Sequence, residues 1–127
     1  FFTSSVWAEG CRFHWEHFGH SQIYARFNQS IGNEVSNEFC RYAKDYSIIV
    51  VTDSFAFGRG CVGYAAAGLR KKNSSKMLVK RVSSARHSDQ CNGSEDAQNL
   101  AITAAHDAVQ EIMFNVNSHV KAAKELN

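Results

Sequence analysis

Residues 92 to 120, "NGSEDAQNLAITAAHDAVQEIMFNVNSHV", constrain the fold more than any other part of the chain. Ala97, Leu100, Ala101, Ala104, Ala108, Ile112, Val116 and Val120 recur at helical steps and form one apolar stripe. Asn92 or Ser94 can cap the start, and Glu95 and Asp96 fall at the positive end of the helix dipole. Because much of the stripe is alanine, such a helix can lie with its backbone close against a sheet. At 1.5 Å per residue a straight helix from 95 to 124 would run roughly 45 Å. That exceeds the width of a 127-residue domain, so a bend is expected near "NVNS", 115 to 118.

The sheet it needs is legible upstream. Cys11, Phe13 and Trp15 alternate with Arg12, His14 and Glu16, the period of a half-buried strand over 11–18. "SIIVV", 47–51, reads as a central strand covered on both sides. Between them, the turn formers "NQSIGN" lead into a helical pattern of Ile31, Val35, Phe39, Tyr42 and Tyr46. "FAFGRGCVGYAAAGLRKK" is expected as a strand, turning at "KKNSS" and pairing with "KMLVKRV" in a hairpin over 61–82. With no proline, repeat or low-complexity tract, the chain reads as a single domain, 1–127. The expected fold is α+β: a mainly antiparallel sheet with two helices packed on one face, one of them the long C-terminal helix. No apolar run approaches the ~20 residues of an integral membrane segment.

Cys11, Cys40, Cys61 and Cys91 are too far apart for paired metal-ligand motifs, so two disulfides are expected, with three connectivities open. N-x-[ST] patterns at Asn28, Asn73 and Asn92 are candidate glycosylation sites. The chain opens "FFTSSVWAEG" without methionine, as a processed secreted form or a trimmed chain does. Together these features predict a secreted protein.

Three histidines, His14, His17 and His20, stand at a spacing of three, which on a helix would suit a metal. The alternation around them instead predicts a strand, which separates His14 from His17, so no metal and no cofactor are expected. Arg12, His14 and Glu16 then share a face. An imidazole, a carboxylate and a guanidinium can cleave RNA by acid–base chemistry, with His87 as a second imidazole. The same set also describes the solvated face of a sheet. "GRGCVG", 58–63, fits a dinucleotide fingerprint only formally: no acidic residue follows at the required distance, and close backbone packing explains the glycines better.

From Ser54 to Ser88 there is no acidic residue, whereas eight of the fourteen Lys and Arg side chains lie there. Arg70, Lys71, Lys72 and Lys76 would form a cationic hairpin tip, continued by Lys80 and Arg81, suited to an anionic surface. Lysines of this kind also keep a sheet edge from aggregating. Lys80-Arg81 is a dibasic pair of the type that secretory processing proteases cut, although the expected returning strand would shield it.

The four spaced cysteines, the Lys80-Arg81 pair and the sheet-plus-helix order resemble the small secreted killer toxins and related effectors of fungi. The resemblance implies a secreted antagonist acting on a membrane or cell-surface target. The leading expectation is therefore a non-enzymatic toxin- or effector-type protein. It would engage an anionic cell surface, a membrane or a surface protein of a target cell through the basic hairpin. A small ribonuclease, for which nucleic acid would be the partner, is the alternative from another class, and an inhibitory binding module is a third.

Overall fold

Short alternating runs build one five-stranded sheet in the computed structural model, which describes residues 1–76 and 80–125. The strands are β1 (Phe2–Trp7), β2 (Arg12–Phe18), β3 (Tyr46–Phe57), β4 (Gly60–Lys71) and β5 (Val82–Ser88), and they neighbour one another in chain order. Every pair is antiparallel except β2 with β3, which is parallel. A parallel neighbour needs a crossover. Here that is helix α1 (Ser21–Asn28), a 3₁₀ turn (Ile31–Glu34) and the single-turn helix α2 (Asn37–Cys40). The chain is an α+β protein with a mostly antiparallel sheet, as its sequence predicts.

Among the described residues one sheet face is covered and the other is open. Phe13 and Trp15 of β2, Ile48 and Val50 of β3, and Ala65, Ala67 and Leu69 of β4 point inward and are buried. Helix α3 (Ser94–Phe114) lies across them, with Ala101, Ala104, Ala105 and Ala108 fully buried. The approach is closest at Gly63, where a β-carbon would stand 2.0 Å from the backbone nitrogen of Ala101. The fingerprint-like "GRGCVG" is thereby explained as packing: Gly58, at φ 58°, makes the tight β3–β4 turn and Gly63 admits the helix. Asn115 leaves helical geometry (φ −136°, ψ 40°) and helix α4 (Val116–Glu125) continues at a new angle, so the bend falls where helix length predicts it.

Two disulfides close the ends of this arrangement. Cys11–Cys40 ties the entry of β2 to α2, and Cys61–Cys91 ties β4 to the segment that starts α3. Each bridges about thirty residues, a loop worth roughly 3–4 kcal/mol in unfolded-chain entropy. Two such bonds point to an oxidising compartment. Among the described residues no helix is long and apolar enough to cross a membrane.

The structure corrects three expectations. The helix expected over 31–46 is broken: Val35 and Ser36 are extended, the Ser36 hydroxyl accepts from the Phe39 N–H to start a new turn, and Tyr46 already belongs to β3. Ile31, Val35 and Phe39 are all buried, so the apolar spacing is real but is shared between a 3₁₀ turn, an extended residue and a single-turn helix. Strand β1 and helix α1 are not predicted. β1 carries polar Thr3, Ser4 and Ser5, and α1 offers only Ile23 and Phe27 as buried residues. Finally, the chain turns at Lys72-Asn73 as expected but does not pair at once. β5 starts only at Val82, and the Met77–Val79 part of "KMLVKRV" lies outside the described residues.

Candidate functional site

The open face of the sheet has a polar end and an apolar end, and strand register sets both. Ser5, His14, Ser47 and Arg70 occupy one row across β1 to β4, and Thr3, Glu16, Ile49 and Gly68 occupy the next. Farther along, Val51, Phe55, Phe57 and Tyr64 are exposed and make that end apolar.

At the polar end, Ser5, His14, Glu16, Ser47, Arg70 and Lys72, closed by turn residues Asn73 and Ser74, line an open recess of about 360 Å³. Arg70 Nη2 donates to Glu16 Oε2 at 2.7 Å. The two residues stand on β4 and β2, so the bridge crosses β3 and lies over Ser47 and Ile49. Those side chains are 1% and 3% exposed although they sit on the open face. His14 is held at both ring nitrogens, Nε2 to Thr3 Oγ1 at 2.5 Å and Nδ1 to Ser47 Oγ at 2.8 Å. Hydroxyls both donate and accept, so each can meet a ring nitrogen in either role. Beside it, the Arg12 guanidinium carbon sits 5.9 Å from the centroid of the exposed Trp7 ring.

The other two histidines do different work. His17 points inward, fully buried, with Nε2 2.7 Å from Thr52 Oγ1 and no partner at Nδ1. Burial pushes its pKa down to about 4. His20 caps α1, accepting from the Gln22 N–H at 3.1 Å.

Among the candidates named from sequence, His14 and Glu16 line the recess together, and Arg12 is one step away on the same face of β2. His87 does not join them. It pairs with Val62, whereas the His14 row meets β4 at Arg70, eight residues or about 26 Å along the strand. Arg70 is not part of a free tip either; it lies within β4 and is engaged by Glu16. Lys71 ends that strand, exposed, and Lys72 lines the recess. Lys76 is exposed beyond the turn, and Lys80 reaches Ser118 of α4 at 2.5 Å. The roles of Ser47 and Thr3 are invisible in sequence, because each depends on which residue stands across the sheet.

Lys80 and Arg81 precede β5 and are exposed, contrary to the expectation that a strand shields them. Cleavage after Arg81 would put Cys91 on the second chain and leave it bonded to Cys61 on the first. Limited digestion with a dibasic-specific protease should therefore give a species that separates into two chains only after reduction. A mass spectrum with and without reductant checks this, and separation without reductant would contradict the pairing.

The sequence matches no protein-family model, and neither a curated protein nor a solved structure matches the chain. What its own geometry defines is a disulfide-bonded α+β protein with a polar, cation-rimmed recess on an uncovered sheet face.

Proposed function

We propose that the chain is a secreted binding protein of toxin or effector type that engages an anionic cell-surface target through the polar end of its open sheet. The observation that carries this reading is the pair Arg70 and Lys72 in the wall of the recess, with exposed Lys71 between them at the end of β4. Glu16, the one acid among the described lining residues, is already paired with Arg70, so Lys72 remains as surplus positive charge in the recess and exposed Lys71 adds to it from the strand end. Two disulfides and no membrane-spanning helix among the described residues fit a secreted protein acting from outside.

Attraction of this kind is screened by salt. The purified protein should be retained on immobilised heparin and on vesicles rich in phosphatidylserine, and released as ionic strength rises. The double variant Lys71→Glu, Lys72→Glu should roughly halve the salt needed for release. Elution identical to wild type would remove the cationic rim as the binding element.

A further inference from the structure

We infer that the recess is a ribonucleolytic site that cuts single-stranded RNA by transferring the phosphoryl group to the neighbouring 2′-hydroxyl. This goes beyond binding and does not rest on it. The open face of β2 reads Arg12, His14, Glu16, Phe18, each about 6.8 Å from the next. An imidazole and a carboxylate one step apart on a rigid strand can sit on either side of one phosphodiester. The cations belong to the same recess: Arg70, which fixes the carboxylate through Oε2, and Lys72.

The step balances with these groups alone. Glu16 takes the proton of the 2′-hydroxyl, and the freed oxygen attacks phosphorus to form the P–O2′ bond. Negative charge on the non-bridging oxygens is met by Arg70 and Lys72. The P–O5′ bond breaks, and protonated His14, still anchored to Ser47 through Nδ1, exchanges its exposed contact with Thr3 for the departing oxygen and gives it the Nε2 proton, leaving a 2′,3′-cyclic phosphate and a 5′-hydroxyl. Proton exchange with water then resets both residues. Ser47, hydrogen-bonded to His14 but only 1% exposed, anchors the ring and is too buried to act as a nucleophile. The attacking hydroxyl therefore comes from the substrate.

Single-stranded nucleic acid is favoured over other phosphodiesters by what flanks the pair, and the 2′-hydroxyl that the step consumes restricts the substrate to RNA. Trp7, 71% exposed beside Arg12, and Phe18, 37% exposed and stacked on Phe1 at 4.8 Å, present aromatic surface on either side of His14 and Glu16. Unpaired bases stack on such rings without regard to sequence.

The purified full chain should cleave a single-stranded oligoribonucleotide to products bearing 2′,3′-cyclic phosphate, read by mass, and leave the 2′-deoxy oligonucleotide intact. Glu16→Gln and His14→Ala should each slow cleavage about 100-fold or more. His87→Ala, remote from the recess, should cleave like wild type. Circular dichroism and disulfide mapping establish that each variant is folded. If His14→Ala is not, Glu16→Gln, which preserves size, decides alone. Intact RNA with wild type, equal cleavage by a folded Glu16→Gln, or cleavage of the deoxy substrate would each overturn the inference. Heparin retention without cleavage would overturn it and leave the binding reading standing.

Discussion

Acidification from pH 7 to pH 4 should remove about 3 kcal/mol of folding stability through His17 alone. The ring is fully buried among Trp15, Tyr24 and Phe2, with its one hydrogen bond to Thr52. Burial disfavours the charged form and takes the pKa from 6.5 to about 4. Between those values the unfolded chain holds a proton that the folded chain does not, so stability falls as pH falls. The loss begins near pH 6.5 and levels off below about pH 4. At about 1.36 kcal/mol per unit, it totals roughly 3 kcal/mol. His119, also buried and lowered chiefly by burial with Lys80 nearby, acts in the same direction. Urea unfolding at a series of pH values measures the effect. The double variant His17→Phe, Thr52→Val should flatten most of it; a profile as steep as wild type would assign the loss to other groups.

Gly63→Ala should destabilise the fold by about 3 kcal/mol, far more than alanine normally costs in a strand. The added methyl meets the backbone of Leu100 and Ala101, not a side chain that can swing away. Relief requires lifting α3 from β4, which loosens the core in which Ala104, Ala105 and Ala108 are buried with Ala65 and Ala67. Because Cys61–Cys91 holds the start of α3 beside the same strand, the helix cannot slide to avoid the clash. Gly60→Ala, whose new methyl would find its nearest neighbours 3.6 Å away or more, is the matched control. Equal unfolding midpoints for the two variants would show that the close approach is not limiting.

The parts of the fold that were legible in sequence are those with a strong local period. The alanine stripe predicts α3 and its bend, and the alternation around His14 predicts β2 and which side chains share its open face. β1 and α1 were missed because their apolar residues are few. Strand β1 is fixed by pairing with β2, and α1 by seating Ile23 and Phe27 under the sheet. The 31–46 pattern misled because three buried residues at helical spacing can equally be supplied by a 3₁₀ turn, an extended residue and a single-turn helix. At the recess, sequence brought His14 and Glu16 together and wrongly added His87, since nothing local reveals register across five strands.

By itself, then, the sequence determined the fold class, the long helix, the separation of His14 from His17 and the presence of two disulfides. Side-chain period and cysteine spacing are properties of the chain, and they survive any arrangement of the elements. Only the tertiary structure decided the pairing of cysteines, the burial of His17 against Thr52 and the meeting of Arg70 with Glu16 across β3. These contacts join residues 29 to 54 positions apart. Which partners meet at such a separation is set by strand order and register, and these follow from packing the whole sheet against one helix layer.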